Sequence, residues 1–259
     1  MTDLTPHPGA APFWRMVLAH AAMESRLLLR NGEQLLIAIV IPVMVLIGGY
    51  EGGKHLTLSF AKTPQQLIDT IAPGVLALAV MSTSFASLAI ATGFERRYGV
   101  IKRLGASPLS RNGLLLGKIL GLLSVEVLQI AVLAVVALVM GWSPQTCLAG
   151  LAGAFLAALL GTAAFAALGL LIAGVLRAEA TLAAANLVYL LLMAGGAVVL
   201  PRTSYGEFGH VTKYLPSGAL GDAMRSGLLD GRIAWASLIV LAVWAAVAAV
   251  GTARTFRWE

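Results

Sequence analysis

Residues 127–176 read VLQIAVLAVVALVMGWSPQTCLAGLAGAFLAALLGTAAFAALGLLIAGVL, and none of them carries a charge. An α-helix needs ~20 consecutive apolar residues to cross the hydrocarbon core of a bilayer, so this stretch is long enough for two membrane helices. The sequence Gly141-Trp142-Ser143-Pro144 predicts the turn between them. Two further uncharged runs, 180–200 and 233–253, are each long enough for one span.

The composition excludes an ordinary soluble domain. Hydrophobic residues make up 59% of the 259 residues, charged residues make up 12%, and the mean hydropathy is +0.87. Soluble proteins carry ~25% charged residues, and a soluble core of this size could not bury so much apolar surface. The first apolar run begins near Leu35, which is too far from the amino terminus for a cleavable signal peptide. We therefore expect the first span to act as its own insertion signal.

These patterns predict an all-α, polytopic membrane protein with six transmembrane helices. The predicted spans are 34–50, 70–94, 112–141, 145–176, 179–200 and 234–253. The predicted divisions of the chain are a cytoplasmic or interfacial amino-terminal helix in 1–33, the six-helix domain in 34–253 and a short cytoplasmic tail in 254–259.

The basic residues predict the orientation, because they concentrate in the cytoplasmic loops of membrane proteins. With both termini in the cytoplasm, twelve of the 18 Lys and Arg residues lie on that side and six lie outside. We therefore expect a multi-pass protein of the inner (plasma) membrane with both termini cytoplasmic. The same bias explains the net charge of +6, so no nucleic-acid partner is expected.

The segment 13–33 has the composition of a helix but is too short and too polar to span. At ~100° per residue, Arg15, Arg26 and Arg30 fall within a narrow sector that could meet lipid phosphates or a partner protein. His20 and Glu24 lie away from that sector, so we interpret the segment as an interfacial helix with partner contacts.

Small residues recur at every fourth position of two predicted spans, and such rows let helix backbones approach closely in lipid. Packing within one subunit is favoured over a contact between subunits. The rows are Gly113, Gly117 and Gly121, and Gly150, Ala154, Ala158, Thr162 and Ala166.

The long connection 201–233 mixes apolar residues with turn formers. Non-helical backbone at membrane depth requires surrounding protein or a water-filled cavity. We expect short helices that lie against or dip into the outer leaflet, and an ordinary extracellular loop is the alternative.

No catalytic or metal-binding pattern stands out. Gly113-Leu-Leu-Leu-Gly117-Lys118-Ile119 is one residue shorter than a phosphate-binding loop and has Ile119 where a Mg²⁺-binding Ser or Thr belongs. The four histidines lack the spacing of metal ligands, and no pair of nucleophile and base is evident. We therefore expect a chain without enzymatic activity, metal or cofactor of its own.

One carboxyl group, Glu126, falls clearly inside a predicted span, with Gln129 one helical turn later on the same face. A carboxylate at membrane depth costs ~3 kcal/mol to insert, so it should face protein or water. Two roles are open for it. It either lines a transport pathway or makes an interhelical hydrogen bond, for which Asn186 is the suggested partner.

The connection between the second and third spans is too long and too patterned for a simple turn. It reads Glu95-Arg-Arg-Tyr-Gly99-Val-Ile-Lys-Arg-Leu104-Gly-Ala-Ser-Pro108-Leu109-Ser-Arg111. Gly99 and Pro108 punctuate a short helix that has an apolar strip beside its cations. Such a helix suits docking into another protein, and the alternative is a basic loop that only orients the chain.

This run, followed by Gly117-Lys118, resembles the signature of type 2 ATP-binding-cassette (ABC) permeases. Two other parts of the chain are similar to that family. They are the amino-terminal helix ending Leu-Leu-Leu-Arg30-Asn31 before a span that contains Pro42, and Tyr214-Leu215-Pro216 with Asp222 and Arg225 ahead of the last span.

The resemblance implies that residues 95–111 form a cytoplasmic coupling helix in a groove of a separate ABC ATPase subunit, which binds ATP and Mg²⁺. It also implies a second permease copy or paralogue in the bilayer, and alternating access driven by ATP. Leu104 and Leu109 are expected as apolar docking anchors, and Glu95 either caps the short helix or pairs with a cation. The implied coupling residues are Glu95, Arg96, Arg97, Gly99, Leu104, Pro108, Leu109 and Arg111. The implied outer gate contains Tyr214, Pro216, Asp222 and Arg225.

The cargo expected first is a hydrophobic or amphipathic compound such as a drug or antibiotic, because the spans offer few fixed charges. Export of a lipid, glycan or peptide is the alternative for the same type of permease. An ion-driven secondary transporter is less favoured, because it would need ionisable groups along its pathway.

Overall fold

The computed structural model describes residues 11–104 and 109–255, and these residues fold mainly into helices. The α-helices are α1 (Phe13–Arg30), α2 (Gly32–Gly53), α3 (Pro64–Met81), α4 (Leu88–Arg97), α5 (Val100–Leu104), α6 (Arg111–Val139), α7 (Leu148–Val175), α8 (Ala178–Gly195), α9 (Gly209–Thr212), α10 (Pro216–Leu228) and α11 (Trp235–Thr255). A π-helical turn, Ser82–Ser87, joins α3 to α4, and a 3-10 helix, Arg202–Phe208, precedes α9. The all-α prediction is confirmed for the described residues.

Five helices of the described chain are long and apolar enough to cross a membrane. They are Pro64–Arg97, Gly113–Val139, Leu148–Val175, Ala178–Gly195 and Trp235–Thr255. Each coincides with one of the last five predicted spans. The first predicted span, 34–50, lies within α2, whose apolar part Ala38–Gly53 is shorter than the other five. The protein is thus a multi-pass membrane protein, while the count of six spans and the cytoplasmic location of both termini stay predictions.

The helix Pro64–Arg97, which comprises α3, the π-helical turn and α4, is the central helix of the bundle. In its most apolar part 78% of the residues are buried, against 17% to 50% in the other four spans. The α3 part of this helix packs against α2, α6, α7 and α10, and these neighbours cover most of its apolar surface. The helix begins with Pro64 in its first turn, and the Thr63 side chain caps it by accepting a hydrogen bond from the Gln66 amide at 3.2 Å.

The amino-terminal helix α1 packs along the first half of α6. Its buried residues are Val17, His20, Ala21 and Glu24. A Cβ atom at Gly117 of α6 would lie 2.6 Å from the His20 ring, and one at Gly121 would lie 2.6 Å from the Glu24 side chain. The glycine row of α6 therefore lets α1 approach closely, and the prediction that this row packs within one chain is confirmed.

The three arginines of α1 lie on its exposed side. Arg15, Arg26 and Arg30 are all exposed, whereas His20 and Glu24 face α6. The arginines and the pair His20 and Glu24 therefore lie on separate faces of α1, as predicted. His20 and Glu24 contact α6 of the same chain.

The second row of small residues also packs within the chain. Gly150, Ala154, Thr162 and Ala166 of α7 are buried, and α7 packs against α10 and α11. A Cβ atom at Gly150 would lie 2.4 Å from the carbonyl oxygen of Gly227 in α10. Close approach of α7 and α10 thus depends on the absence of a side chain at this position.

The segment between α8 and α11 contains short helices, as predicted. The helix α8 ends at Gly195, earlier than the predicted span, and residues 196–200 continue as non-helical backbone. The helix α10 is largely buried and contacts α3, α7 and α11. Its position inside the bundle agrees with the expectation that this segment is more than an ordinary loop, while its depth in a bilayer stays a prediction.

Arg225 of α10 stabilises the non-helical backbone that follows α8. Its guanidinium donates hydrogen bonds to the carbonyl oxygens of Ala197 (2.9 Å), Val198 (3.0 Å) and Val199 (3.2 Å), and to Asp222 (3.1 Å). The side chain is 7% exposed. Because buried carbonyl groups without partners are costly, this one side chain makes an irregular segment tolerable inside the bundle.

We expect Arg225→Met to lower the free energy of unfolding by about 3 kcal/mol, because each buried carbonyl left without a donor costs ~1–3 kcal/mol. Arg202→Met is the matched control, since that side chain is 52% exposed and only approaches Asp222 at 3.7 Å. Denaturant unfolding in detergent micelles measures both. Equal effects of the two substitutions would contradict the role given to Arg225.

Candidate functional site

The helices α1, α4, α5 and α6 meet at one end of the bundle, and we call this region the junction. Gly99 turns the chain between α4 and α5 with a φ of +67°, a conformation that side-chain-bearing residues rarely adopt. Leu104 at the end of α5 and Leu109 just before α6 pack with Val17 of α1 and Leu114 of α6. The apolar strip of the connection is therefore directed at the protein's own amino-terminal helix.

Leu104 and Leu109 are expected as apolar docking anchors, and that role stays a prediction, because in the chain alone both pack against its own residues. Leu109 is 9% exposed and Leu104 is half-buried. The physical reason is that α1 lies beside the connection, where Val17 packs with Leu104 and Leu109. Around the Gly99 turn, the described side chains that face outward include Tyr98, which is 65% exposed, Lys102 and Arg103.

A buried ion cluster holds three helices of the junction together. The Lys118 ammonium of α6 donates hydrogen bonds to Glu24 of α1 at 3.0 Å and to Glu95 of α4 at 2.7 Å. The Lys118 and Glu24 side chains are 9% and 10% exposed, and that of Glu95 is 24% exposed. Glu95 was predicted either to cap the short helix or to pair with a cation, and in the structure it pairs with Lys118. Removing one member of such a cluster leaves an uncompensated buried charge, which typically costs ~3–5 kcal/mol.

His20 lies beside the ion cluster. Its Nε2 atom is 3.6 Å from a carboxylate oxygen of Glu24. Burial lowers the pKa of His20, and the nearby Lys118 acts in the same direction, while Glu24 acts in the opposite direction. The imidazole is therefore neutral at pH 7, and Lys118 provides the positive charge between the two carboxyl groups.

The two arginines at the end of α4 join it to α7 and α8. Arg96 donates hydrogen bonds to the carbonyl oxygens of Ala173 and Leu176 at the end of α7. Arg97 pairs with Glu179 in the first turn of α8. Among the other predicted coupling residues, Pro108 lies outside the described residues. Arg111 begins α6, but its side chain is also outside them.

Glu126 makes an interhelical hydrogen bond, but not with the suggested partner. Its carboxyl group is 2.6 Å from the hydroxyl of Thr162 in α7, and the side chain is buried. Asn186 is exposed on α8, so the suggested Glu126–Asn186 pair is wrong. The partner is determined by helix packing: Glu126 faces α7, and the residue of α7 at that position is Thr162.

Gln129 joins α6 to two other elements. Its amide donates a hydrogen bond to the carbonyl oxygen of Ala38 in α2 at 2.6 Å. Its carbonyl oxygen accepts one from Thr83 in the π-helical turn at 2.7 Å. Gln129 is 1% exposed, so these contacts form a polar crossing in the interior of the bundle.

The predicted outer-gate residues cluster around α10. Pro216 begins this helix and is buried, and Asp222 lies between Arg225 and Arg202. Tyr214 is 62% exposed, and its carbonyl oxygen accepts a hydrogen bond from the Trp244 indole of α11. The structure thus places these residues near one another, whereas their role in gating stays a prediction.

Lys118, Glu24 and Thr162 were not predicted as partners in these contacts. A signal was present for the first two, since a lysine within an apolar helix is costly unless a carboxylate pairs with it. Glu24 is the carboxylate on the face of α1 opposite the arginines. For Thr162 the sequence offered only its place in a row of small residues.

The bundle and the junction define a class of protein, a multi-pass helical membrane protein whose connecting helix is packed against an amino-terminal helix. A family model described as ABC-2 family transporter protein matches residues 53–254, and the chain belongs to this family. It is thus a membrane permease subunit of an ABC transporter, and the family implies an ABC ATPase as its partner. The resemblance inferred from the sequence is confirmed. A comparison with curated proteins gave no match.

We expect Lys118→Met to lower the free energy of unfolding by ~3–5 kcal/mol, because it leaves Glu24 and Glu95 buried without a cation. The triple variant Lys118→Met, Glu24→Gln, Glu95→Gln should recover most of this loss, since it removes all three charges. Lys102→Met serves as a control at an exposed position. Thermal unfolding in detergent micelles compares the four proteins, and a triple variant no more stable than Lys118→Met would contradict the pairing.

For Glu126 we expect a structural hydrogen bond, so Glu126→Gln should keep assembly and stability within about 0.5 kcal/mol, because an amide can still bond to Thr162. Thr162→Val should cost ~1 kcal/mol. Unfolding and export are measured across a range of pH. A changed pH dependence of export in Glu126→Gln, with stability unchanged, would instead assign Glu126 to the transport pathway.

Proposed function

We propose that this permease subunit is part of an exporter and that its junction receives the conformational signal of the ATPase subunit. ATP and Mg²⁺ are bound by that partner, and this chain contributes the translocation pathway together with a second permease copy or a paralogue. The location proposed for the complex is the inner (plasma) membrane, with both termini of this chain in the cytoplasm.

The observation that carries the proposal is the division of the junction into an exposed and a buried side. Tyr98, Lys102 and Arg103 form an exposed aromatic and basic surface next to the Gly99 turn. A partner with acidic groups fits this surface, because complementary charge steers association and fixes register. The exposed tyrosine is the residue type most suited to anchor such a contact.

The buried side of the junction supplies the connection to the membrane helices. Leu104 and Leu109 attach the short helix to α1, and Lys118 ties α1 to α4 and α6. Movement of α5 is therefore transmitted to three helices together. Such a unit meets the requirement of alternating access for an element with two states that nucleotide binding can bias.

The cargo we propose is a hydrophobic or amphipathic compound, with drug or antibiotic efflux as the first candidate. The support is that the spans are apolar and that the charged groups described above are paired within the chain or lie at helix ends. The segment around α10 is proposed as the outer gate, because Arg225 holds irregular backbone there that an apolar pathway alone could not stabilise.

We expect the double substitution Lys102→Glu and Arg103→Glu to weaken association with the ATPase subunit at least tenfold, because it places like charges against an acidic partner. Substrate-stimulated ATP hydrolysis should fall in parallel while thermal stability is unchanged. Lys62→Glu with Arg232→Glu is the matched control, since both are exposed cations at the opposite end of the bundle. Co-purification and phosphate release measure the two effects.

Two results would contradict the proposal. One is ATP turnover by the isolated chain without its partner. The other is normal association and stimulation in the Lys102→Glu, Arg103→Glu variant. Leu104→Asp is a poorer probe of docking, because it would also disrupt the packing of α1 against the junction.

A further inference from the structure

A cavity of about 380 Å³ lies beside the junction, between the end of α4 and the connection from α7 to α8. Three arginines, Arg96, Arg97 and Arg177, line it together with one carboxylate, Glu179. Arg96 and Arg97 are among the coupling residues that the family resemblance implies, whereas Arg177 has no role in the proposed coupling mechanism. Its walls carry more positive than negative charge, which indicates an anionic occupant.

The three arginines differ in how they are held. Arg96 is fixed by its hydrogen bonds to the end of α7, and Arg97 is paired with Glu179. Arg177 is exposed and makes no ion pair or side-chain hydrogen bond with the part of the chain that the structure describes. One guanidinium at the mouth of the cavity is therefore free to bind an anion, and a fixed one lines the wall.

The backbone at the cavity also favours an anionic occupant. Arg177 is the N-cap residue of α8, and no side chain caps that helix end. A cation is unfavourable at the amino end of a helix, where an anion is stabilised. An anion in the cavity would add to Glu179, the acidic residue of the first turn, in offsetting the charge of Arg177 at this helix end.

The level of the cavity identifies the kind of anion. Arg97 is the last residue of the central span, Val175 is the last of α7, and Ala178 is the first of α8. The cavity therefore lies where apolar helices end, and in a bilayer spanned by these helices that level corresponds to the headgroup region. Val175 and Leu182, which come just before and just after the lining residues of the α7–α8 connection, are 49% and 40% exposed, so α7 and α8 expose apolar surface next to that connection.

We propose that this cavity binds the phosphate group of an anionic phospholipid from the surrounding bilayer. Arginine pairs with phosphate through two parallel hydrogen bonds, and basic pockets between membrane helices suit lipid headgroups. The acyl chains lie against the apolar flank while the phosphate enters among the guanidinium groups. A lipid bound here bridges α4, α7 and α8, and this inference holds whatever cargo the transporter carries.

The test is a titration of the purified full chain in detergent micelles with phosphatidylglycerol, followed by native mass spectrometry. Arg177→Gln should weaken phosphatidylglycerol binding about fivefold, the contribution of one basic residue at an anionic lipid surface. Glu179→Gln should strengthen it, because it removes the carboxylate found among the described lining residues and releases Arg97. Arg254→Gln, an exposed arginine at the end of α11, is the matched control and should leave binding unchanged.

The opposite signs expected for Arg177→Gln and Glu179→Gln distinguish a lipid site from a structural effect, which would not change sign. Phosphatidylcholine should bind at least fivefold more weakly than phosphatidylglycerol, and inorganic phosphate at millimolar concentration should not displace the lipid. Equal phosphatidylglycerol binding by wild type and Arg177→Gln would overturn the proposal. So would displacement by inorganic phosphate, which indicates a site for free anions, or cross-linking of Arg177→Cys to an acidic segment of the ATPase subunit, which indicates a protein contact.

Discussion

The ammonium group of Lys118 needs carboxylate partners because it is buried in a medium that solvates charge poorly. Glu24 and Glu95 supply them from two other helices. Because both carboxylates must lie within about 3 Å of the Lys118 ammonium, α1 and α4 are held against α6. The position of α4 in turn determines where the Gly99 turn and α5 lie. Glycines on α6 make the arrangement possible, since any side chain at Gly117 or Gly121 would occupy the space that His20 and Glu24 take up.

Hydropathy was sufficient to predict five spans, because a run of ~20 apolar residues has few stable alternatives to a membrane helix. The hydrogen-bond partners of buried polar side chains could not be predicted from hydropathy. Glu126 was matched with Asn186 on the basis of residue type, yet its neighbour depends on how α6 and α7 rotate against each other. The strip containing Leu104 was visible in the sequence, but an apolar strip does not reveal whether it faces its own chain or another.

The polar groups of the interior follow one arrangement at three levels of the bundle. Lys118 at the junction, Gln129 in the interior and Arg225 in α10 each donate a hydrogen bond to an element other than the helix that carries them. Apolar contacts in lipid give helices little preference for one neighbour over another, because hydrocarbon solvates them equally well. The three donors therefore specify which helices are neighbours, while small residues determine how closely they pack.

The π-helical turn Ser82–Ser87 sets the angular phase of the central helix. One additional residue advances the remainder of a helix by about 100° about its axis. If the turn relaxed to a regular α-helix, α4 would rotate by that angle, and Glu95 would swing away from Lys118. The contact between Glu95 and Lys118 therefore depends on the π-helical form of a turn that lies two helical turns earlier in the same span.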